Sequence, residues 1–392
     1  MRLEFIANAC CKYTSQGKSL LSDPWLFNGV FGGSWFHTHE IVNNLDRLVQ
    51  DTDYLYISHL HPDHYDEKSL GMFKKTTPVI CLDDGPNYLL KKLKGLGFKD
   101  IITIKDKESR ELGPFKLTMY KAFCGNAFYD TEFGNPIDSA LVIEDHEGKV
   151  LNTNDNTLDE QSALMLRDRH GVFNVAQLQF NSAGPYPACF DNLTTQEKVY
   201  ESNRLINRNL QHMVKIAKIL RPNSVMPFAG AYQLGGKLKR LNPYLGTTTS
   251  KDASDYLEQQ GIKPFRVGEL PRLDPPGEEW PYEHQLDEIP DELKLMNDIA
   301  EAFINLENKQ EKLNLWPRCK VILKLLGRDH IYNFHYQPES TLICYMDPRL
   351  LRRILDRKEH WNNAEIGCHI RFHREPNKYN PDVHMLMSYF HL

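Results

Sequence analysis

A chain of 392 residues is too long for one ordinary hydrophobic core, so its length predicts a large domain of about 250 residues and a smaller one. Hydrophobic residues at 41%, charged residues at 25% and a net charge of −5 fit a soluble globular protein and exclude a global basic field, and with it nucleic acid as a bulk partner. No apolar run reaches the roughly 18 residues that span a bilayer, and the opening MRLEFIANACCKY lacks the apolar stretch of a signal peptide, so no membrane role and a cytoplasmic location are expected.

In chain order, residues 2–8 and 18–23 read as two strands joined by a polar turn near Ser15 to Lys18, the second ending in Asp23-Pro24-Trp25. A strand-end aspartate at Asp23 can orient a neighbouring histidine, or simply begin a turn. The Gly-rich, aromatic stretch Gly29 to Glu40 suits a pocket wall, with Trp35 as a candidate substrate contact. It carries His37 and His39 as a His-x-His pair with no carboxylate following at metal spacing, which leaves His39 a candidate for supporting contacts around a site. Residues 40–50 have helical spacing. Tyr54 to Asp66, YLYISHLHPDHYD, then reads as a strand whose end releases His59, His61, Asp63 and His64. Period-2 geometry puts His59 and His61 on one face, and Asp63 and His64 turn back past Pro62, so one or two divalent metals fit there. Imidazole and carboxylate suit iron, zinc, manganese or cobalt rather than a thiolate-loving ion.

Helices over 67–75 and 86–96, a strand over 77–82 and two or three strands across 100–124 follow. Residues 138–155 read as a hairpin, SALVIE and KVLNT, closed by Asn154 and Asp155. A buried strand over 173–180 leads into the Gly/Pro loop NSAGPYPACF, and Glu197 to Leu220 is the longest helical pattern, stopped by Arg221-Pro222. Residues 224–233 give a strand and a tight glycine turn. Lys237, Lys239 and Arg240 beside that turn are candidate holders of a substrate phosphate. Residues 243–290 read as an irregular connection, which divides the chain into domains 1–265 and 266–392. The second is a compact α+β unit: a helix over 291–312, three strands, a helix over 347–361, and a strand IGCHIRFH with His369 and His373 on one face. Eight cysteines without a C-x-x-C pair predict reduced thiols.

The HLHPDH run resembles the metallo-β-lactamase superfamily signature, which implies an αββα sandwich with its site at the edge of the two sheets. The resemblance further implies a third ligand opening one strand and a bridging aspartate closing the next; Asp155 takes the bridging place, and Asp138 stands where the superfamily has histidine. A carboxylate there favours iron or manganese over zinc. No histidine closes the strand near 224–233, so the recognisable motifs give the second metal site Asp63, His64 and Asp155. In order, SDPWL, SWFHTHE, YISHLHPDH, LNTND, SAGPYP, PFAG and the tail WNNAEIGCHIRFHREPNKYNPDVH are similar to the metallo-β-lactamase-like part of the CMP-N-acetylneuraminate hydroxylase family. That family uses iron and oxygen to convert the N-acyl group of a nucleotide-linked sugar. It carries an N-terminal Rieske module, whereas this sequence begins with the first strand and has no Cys-x-His and Cys-x-x-His pair.

Three readings follow. An iron-dependent oxygenase would act on an anionic, amino- or N-acyl-bearing small molecule and draw electrons from an external redox partner. A metal-dependent hydrolase would use the same ligands to activate water, with Asp63 and His64 as catalytic residues and Asp63 the base. A binding protein would retain the site without catalysis.

Overall fold

The computed structural model describes residues 1–83, 87–123, 129–130, 135–136, 138–268 and 270–392, of which 129–130 and 135–136 are described by their backbone. Strands β1 (Arg2–Ala7), β2 (Cys10–Ser15) and β3 (Lys18–Ser22) form an antiparallel meander. The expectation of two strands here is corrected to three. Asn8, at φ 45°, turns the chain between β1 and β2, a conformation that asparagine tolerates, and the Cys/Lys/Tyr/Thr alternation of β2 is too mixed to stand out as a strand.

After the two-residue β4 (Trp35–Phe36), strands β5 (Tyr54–Tyr56), β6 (Val79–Asp83) and β7 (Ile101–Lys105) join beside β3, all parallel. The second sheet begins with β8 (Ser109–Leu112) and β9 (Phe115–Lys121). The small pair β10 (Tyr129–Asp130) and β11 (Asn135–Pro136) follows, then β12 (Ser139–Glu144) and β13 (Lys149–Asn152) as the expected hairpin. Parallel neighbours β14 (Val175–Gln179) and β15 (Val225–Phe228) complete it, in the order β15-β14-β13-β12-β9-β8. Pro86, where a helix was expected to begin, and Cys124 lie outside the described residues.

Inward-facing Tyr13, Tyr56 and Ile80 of one sheet pack on Met119, Leu141 and Met226 of the other. The outer face of the first sheet is covered by helices Leu45–Gln50, Glu67–Gly71 and Tyr88–Gly95. The outer face of the second is covered by Glu160–His170, Thr195–Leu220 and Ser250–Gln259. This is the αββα order that the metallo-β-lactamase resemblance implies. The Ser250–Gln259 helix, capped by Thr249, corrects the expectation of an irregular connection from 243. Each of these six helices starts at an Asn, Asp or Thr whose side chain accepts a backbone N–H, as at Asn44, Asp66 and Thr194, which satisfies a donor that has no partner inside the helix.

Over 224–233 the expected strand and glycine turn are β15 and the reversal at Ala229 and Gly230. Ala229 and Gly230 have φ of 59° and 71°, and the chain re-emerges as β16 (Gln233–Leu234), paired with β4. Beyond helix Glu292–Leu313 lie β17 (Cys319–Leu325), β18 (Arg328–Asn333), β19 (Ser340–Tyr345) and β20 (Arg371–Glu375), in the order β18-β17-β19-β20. The helix expected to reach Trp361 stops at Leu355, and Arg357 at φ 58° reverses the chain. A separate helix, Trp361–Ile366, follows, and Cys368 at φ 60° turns into β20. His369 and His373 therefore do not share a strand face: the His369 ring sits 2.8 Å from the Phe31 carbonyl, and His373 lies 3.1 Å from Glu375.

The C-terminal sheet does not keep a private core. Trp25, Phe31, Trp35, Phe190 and Tyr232 lie in one cluster with Leu323, Phe372 and Phe390, and the loop after β14 joins β20 through Asp191 N–H to the Phe372 carbonyl at 2.7 Å. Among the described residues no helix is long and apolar enough to cross a membrane. All seven described cysteines are free and buried.

Candidate metal centre

The parallel strands β3, β5, β13, β14 and β15 end on the same edge of the sandwich, where a doubly layered sheet leaves room for a site. The chain leaving β3, β5 and β13 supplies Asp23, the His-rich loop and Asp155. Asp23 follows β3; its Oδ1 accepts from Ser58 N–H at 2.8 Å and its Oδ2 from the Ser58 hydroxyl at 2.7 Å, and Oδ2 lies 2.9 Å from His64 Nδ1. Asp23 thus ties His64 to the start of the His-rich loop. His59, Asp63 and His64 are buried at 1%, 3% and 0% exposure. Beneath them, Tyr56 OH meets Ser139 Oγ at 2.9 Å and receives Asn154 Nδ2–H at 3.3 Å. This ties β5 to the mouth of the β12/β13 hairpin. Asn154, at φ 48°, makes the bend that delivers Asp155.

The donors converge. His59, His64 and Asp155 each offer an atom within 4.8 Å of the others. His64 Nε2 lies 3.4 Å from Asp63 Oδ2 and 3.5 Å from Asp155 Oδ2, and His59 Nε2 faces His61 Nδ1 at 2.8 Å. Asp138 Oδ1 approaches His59 Nδ1 to 2.9 Å without the alignment of a hydrogen bond. His64 Nε2, Asp138 Oδ1 and Asp155 Oδ1 are buried without a hydrogen-bond partner. Orphaned polar atoms are rare because each costs free energy, and three of them aimed into one cluster suit a shared cation.

The electrostatics agree. Burial alone would push the His64 imidazole down, but the carboxylates of Asp63, Asp155 and Asp23 outweigh it and hold His64 well above the ordinary histidine range. Burial pushes Asp155 up, and His64, His59 and His61 outweigh it and hold its carboxyl below the usual range. His61 is lowered, by burial first and by His59 second. An anionic pocket that retains a proton on imidazole is one that a divalent ion would neutralise, displacing that proton.

A cavity of about 570 Å³ opens over His59, His61 and Asp138, and its far wall is Glu359, His360 and Asn362. Its volume is that of a small-molecule site. Burial pushes Glu359 up to about 7 and His360 down to about 4. Asp63, His64 and Asp155 lie behind the cavity floor rather than on it.

Several expected residues fall elsewhere. Trp35 is a core residue, stacked on Tyr232 at 3.5 Å with the rings 2° apart, and it donates Nε1–H to the Ile366 carbonyl. His39 packs its ring on Phe5, with Nδ1 3.0 Å from the Glu40 carbonyl. Lys239 is bound to Asp274 and the Pro275 carbonyl, both at 2.9 Å. None of Trp35, His39, Lys237, Lys239 and Arg240 lines the cavity. The phosphate-holding expectation is corrected on that ground: the cations along the cavity are Lys68, Lys92, Arg357 and Lys358.

Sequence reasoning missed Asn8, which donates to Asp63 Oδ2 at 3.0 Å while its Oδ1 accepts Ala231 N–H at 3.1 Å. It also missed Ser58, and Asn362, whose Oδ1 lies 3.2 Å from His61 Nε2. His37 is buried against Trp25, and burial pushes its ring down to about 3.

No protein-family model matches the chain. It is 28% identical over 271 residues to a protein of Mycolicibacterium smegmatis described as "Putative Rieske 2Fe-2S iron-sulfur protein", covering 67% of this chain and 50% of that one. It is 26% identical over 244 residues to the cytidine monophosphate-N-acetylneuraminic acid hydroxylase of Mus musculus, covering 59% of this chain and 39% of that protein. The chain thus spans half or less of the length of these relatives. Among solved structures, CmlA, a diiron β-hydroxylase from Streptomyces venezuelae, aligns at TM-score 0.45 and 17% identity over 69% of this chain and 54% of that one. A possible metal-dependent hydrolase from Veillonella parvula aligns at TM-score 0.47 and 15% identity over 69% and 98%.

Proposed function

We propose that this chain is a metal-dependent enzyme whose reaction is the iron- and oxygen-dependent hydroxylation of an amino- or N-acyl-bearing small molecule, a nucleotide sugar being the leading candidate. The observation that carries the reading is the donor set: His59, His61 and His64 with Asp63, Asp138 and Asp155, gathered at one sheet edge with three partnerless atoms among them. These residues would hold one or two ions, and their carboxylate-rich character favours iron. Bound iron would supply redox chemistry with O2, whereas zinc or manganese in the same residues would supply Lewis-acid activation of water. The sequence similarity to a nucleotide-sugar hydroxylase supports the first chemistry, over the 59% of this chain that it covers.

The protein's own groups supply the rest. Asp63 is fixed by Asn8 and lies close to His64 Nε2, which keeps its carboxylate turned to the donor cluster. Asp23 and Ser58 keep His64 oriented, and Phe31 and Trp361 on the cavity wall restrict water around the substrate. Hydroxylation inserts one oxygen atom into a C–H bond and releases the other as water, which consumes two electrons and two protons. An external reductant or redox protein must deliver them.

The second reading is metal-dependent hydrolysis of a phosphoester, lactone or amide, in which the same donor set would hold an ion that activates water. Oxygen uptake by the iron-loaded protein with sugar nucleotides and a reductant separates the two. The proposal expects turnover that stops when air is excluded. Full anaerobic activity with zinc or manganese in place of iron would establish the hydrolase instead.

A further inference from the structure

We propose that Asn362, carried by the C-terminal part of the chain, fixes His61 in its metal-binding form, so that this part completes the metal centre as well as covering it. The inference rests on the metal-binding reading above and adds a positioning residue that the His-rich motif does not contain. Asn362 is 8% exposed and stands in the first turn of helix Trp361–Ile366, directly after the reversal at Arg357 that brings residues 359–362 to the cavity. Its Oδ1 lies 3.2 Å from His61 Nε2.

An amide oxygen only accepts, so this contact requires the proton to sit on Nε2. A neutral imidazole protonated there has its lone pair on Nδ1. Nδ1 is the atom that faces His59 Nε2 at 2.8 Å, the place where a shared ion would draw on both rings. Metal-binding histidines generally donate their second ring N–H to such an acceptor, and loss of the acceptor weakens metal binding by about 10- to 100-fold. The opposite orientation of the amide would send the proton to Nδ1 and block the ring.

The helix that carries Asn362 is itself held firmly. Trp361 Nε1–H donates to Glu365 Oε1 at 2.7 Å, that same oxygen lies 2.8 Å from His384 Nδ1, and Trp35 Nε1–H reaches the Ile366 carbonyl at 3.2 Å. Trp35 comes from the glycine-rich loop of the N-terminal part. The acceptor is therefore presented by a packed element braced against both parts of the chain, as precise positioning of a ligand demands.

The test is Co(II) affinity, measured on the metal-stripped 392-residue chain by competition with a chelator, together with the visible spectrum of the bound ion and a thermal melt of each variant. Asn362→Ala and the near-isosteric Asn362→Leu should each weaken Co(II) by about 10- to 100-fold and alter the spectrum. Asn362→Asp, which still accepts, should bind close to the parent. Should the alanine variant fail to fold, the leucine and aspartate variants give the same comparison. Parent-like affinity in Asn362→Leu, or an Asn362→Asp variant weakened as much as Asn362→Leu, would overturn the inference. His61→Ala separates the two levels. If it weakens Co(II) while Asn362→Leu does not, only the inference falls; if it leaves affinity unchanged, the metal reading at His61 falls as well.

Discussion

His64 is buried and Asp155 partly exposed, and each favours the charged form of the other: the carboxylate raises the imidazole and the imidazole lowers the carboxyl. The carboxylate opposite them, Asp138, is the residue most open to direct test. If it is a ligand, Asp138→Ala should lower metal occupancy, and Asp138→His should retain or tighten zinc, since imidazole is the commoner zinc donor. Metal content of the two purified variants decides; occupancy and preference equal to the parent's in both would make Asp138 a strand-start residue only. Glu359 gives a prediction about pH. Burial raises its carboxyl from 4.5 to about 7, so the folded state binds the proton more tightly than the unfolded chain. Its contribution to stability is therefore full below about 4.5 and is lost as pH rises to about 7. The ceiling is ~3 kcal/mol, at about 1.4 kcal/mol per tenfold in proton affinity. Glu359→Gln should flatten that part of the stability profile and raise the melting temperature at pH values above it. A variant whose profile parallels the parent's would show that Glu359 is solvated. At this scale the sequence was legible where ligands are adjacent in the chain, as in His59 to His64. It was silent on Asn8 and Asn362, because each lies far along the chain from the residue it holds and asparagine has no distinctive spacing.

Strand ends do the placing, and they were largely readable. The apolar runs into YLYISHLHPDH and through the SALVIE/KVLNT hairpin located the two main sources of candidate donors, because strands buried on both faces read as short continuous apolar runs. What escaped were the points where the chain departs from an element at positive φ. Arg357 ends one expected helix, and Cys368 turns the chain inside one expected strand. These are tertiary demands, met by residues without a turn-like composition. Gly230, in the expected glycine turn, has a specific need. At φ 71° a Cβ would strain the backbone, and it would come within 3.1 Å of Asn181 Cβ. Asn181 in turn donates to the Gly230 and Thr248 carbonyls. Gly230→Ala should destabilise the fold by about 1–3 kcal/mol and, by moving Ala231 away from Asn8, loosen the carboxylate of Asp63. Thermal melts and metal affinity together check this; a melting temperature and affinity unchanged from the parent would mean that the loop yields without cost.

Across the whole molecule, the four layers were foreseeable from the alternation of strands and helices and from the resemblance carried by HLHPDH. The relation of the two parts was not. We propose the division at 265/266 as the organisation of the chain, yet Trp25, Trp35 and Tyr232 share a cluster with Phe372 and Phe390. The cavity, too, has one wall from each part. Such contacts join residues more than three hundred positions apart, as Trp35 and Ile366 do, and no local pattern announces them. The same wall explains why basic residues near 237–240 misled: they follow the right strand but sit on a segment that turns to Asp274 instead of the cavity. The central claim is that the edge of the sandwich is a metal centre built on the His-rich loop. Elemental analysis of protein expressed with iron supplementation and purified without added metal tests it most directly, on the parent beside His59→Ala and His61→Ala. The parent chain should carry one or two ions, iron foremost, and both variants should lose most of that metal while their melting behaviour shows an intact fold. Equal metal content in the parent and both variants would contradict it.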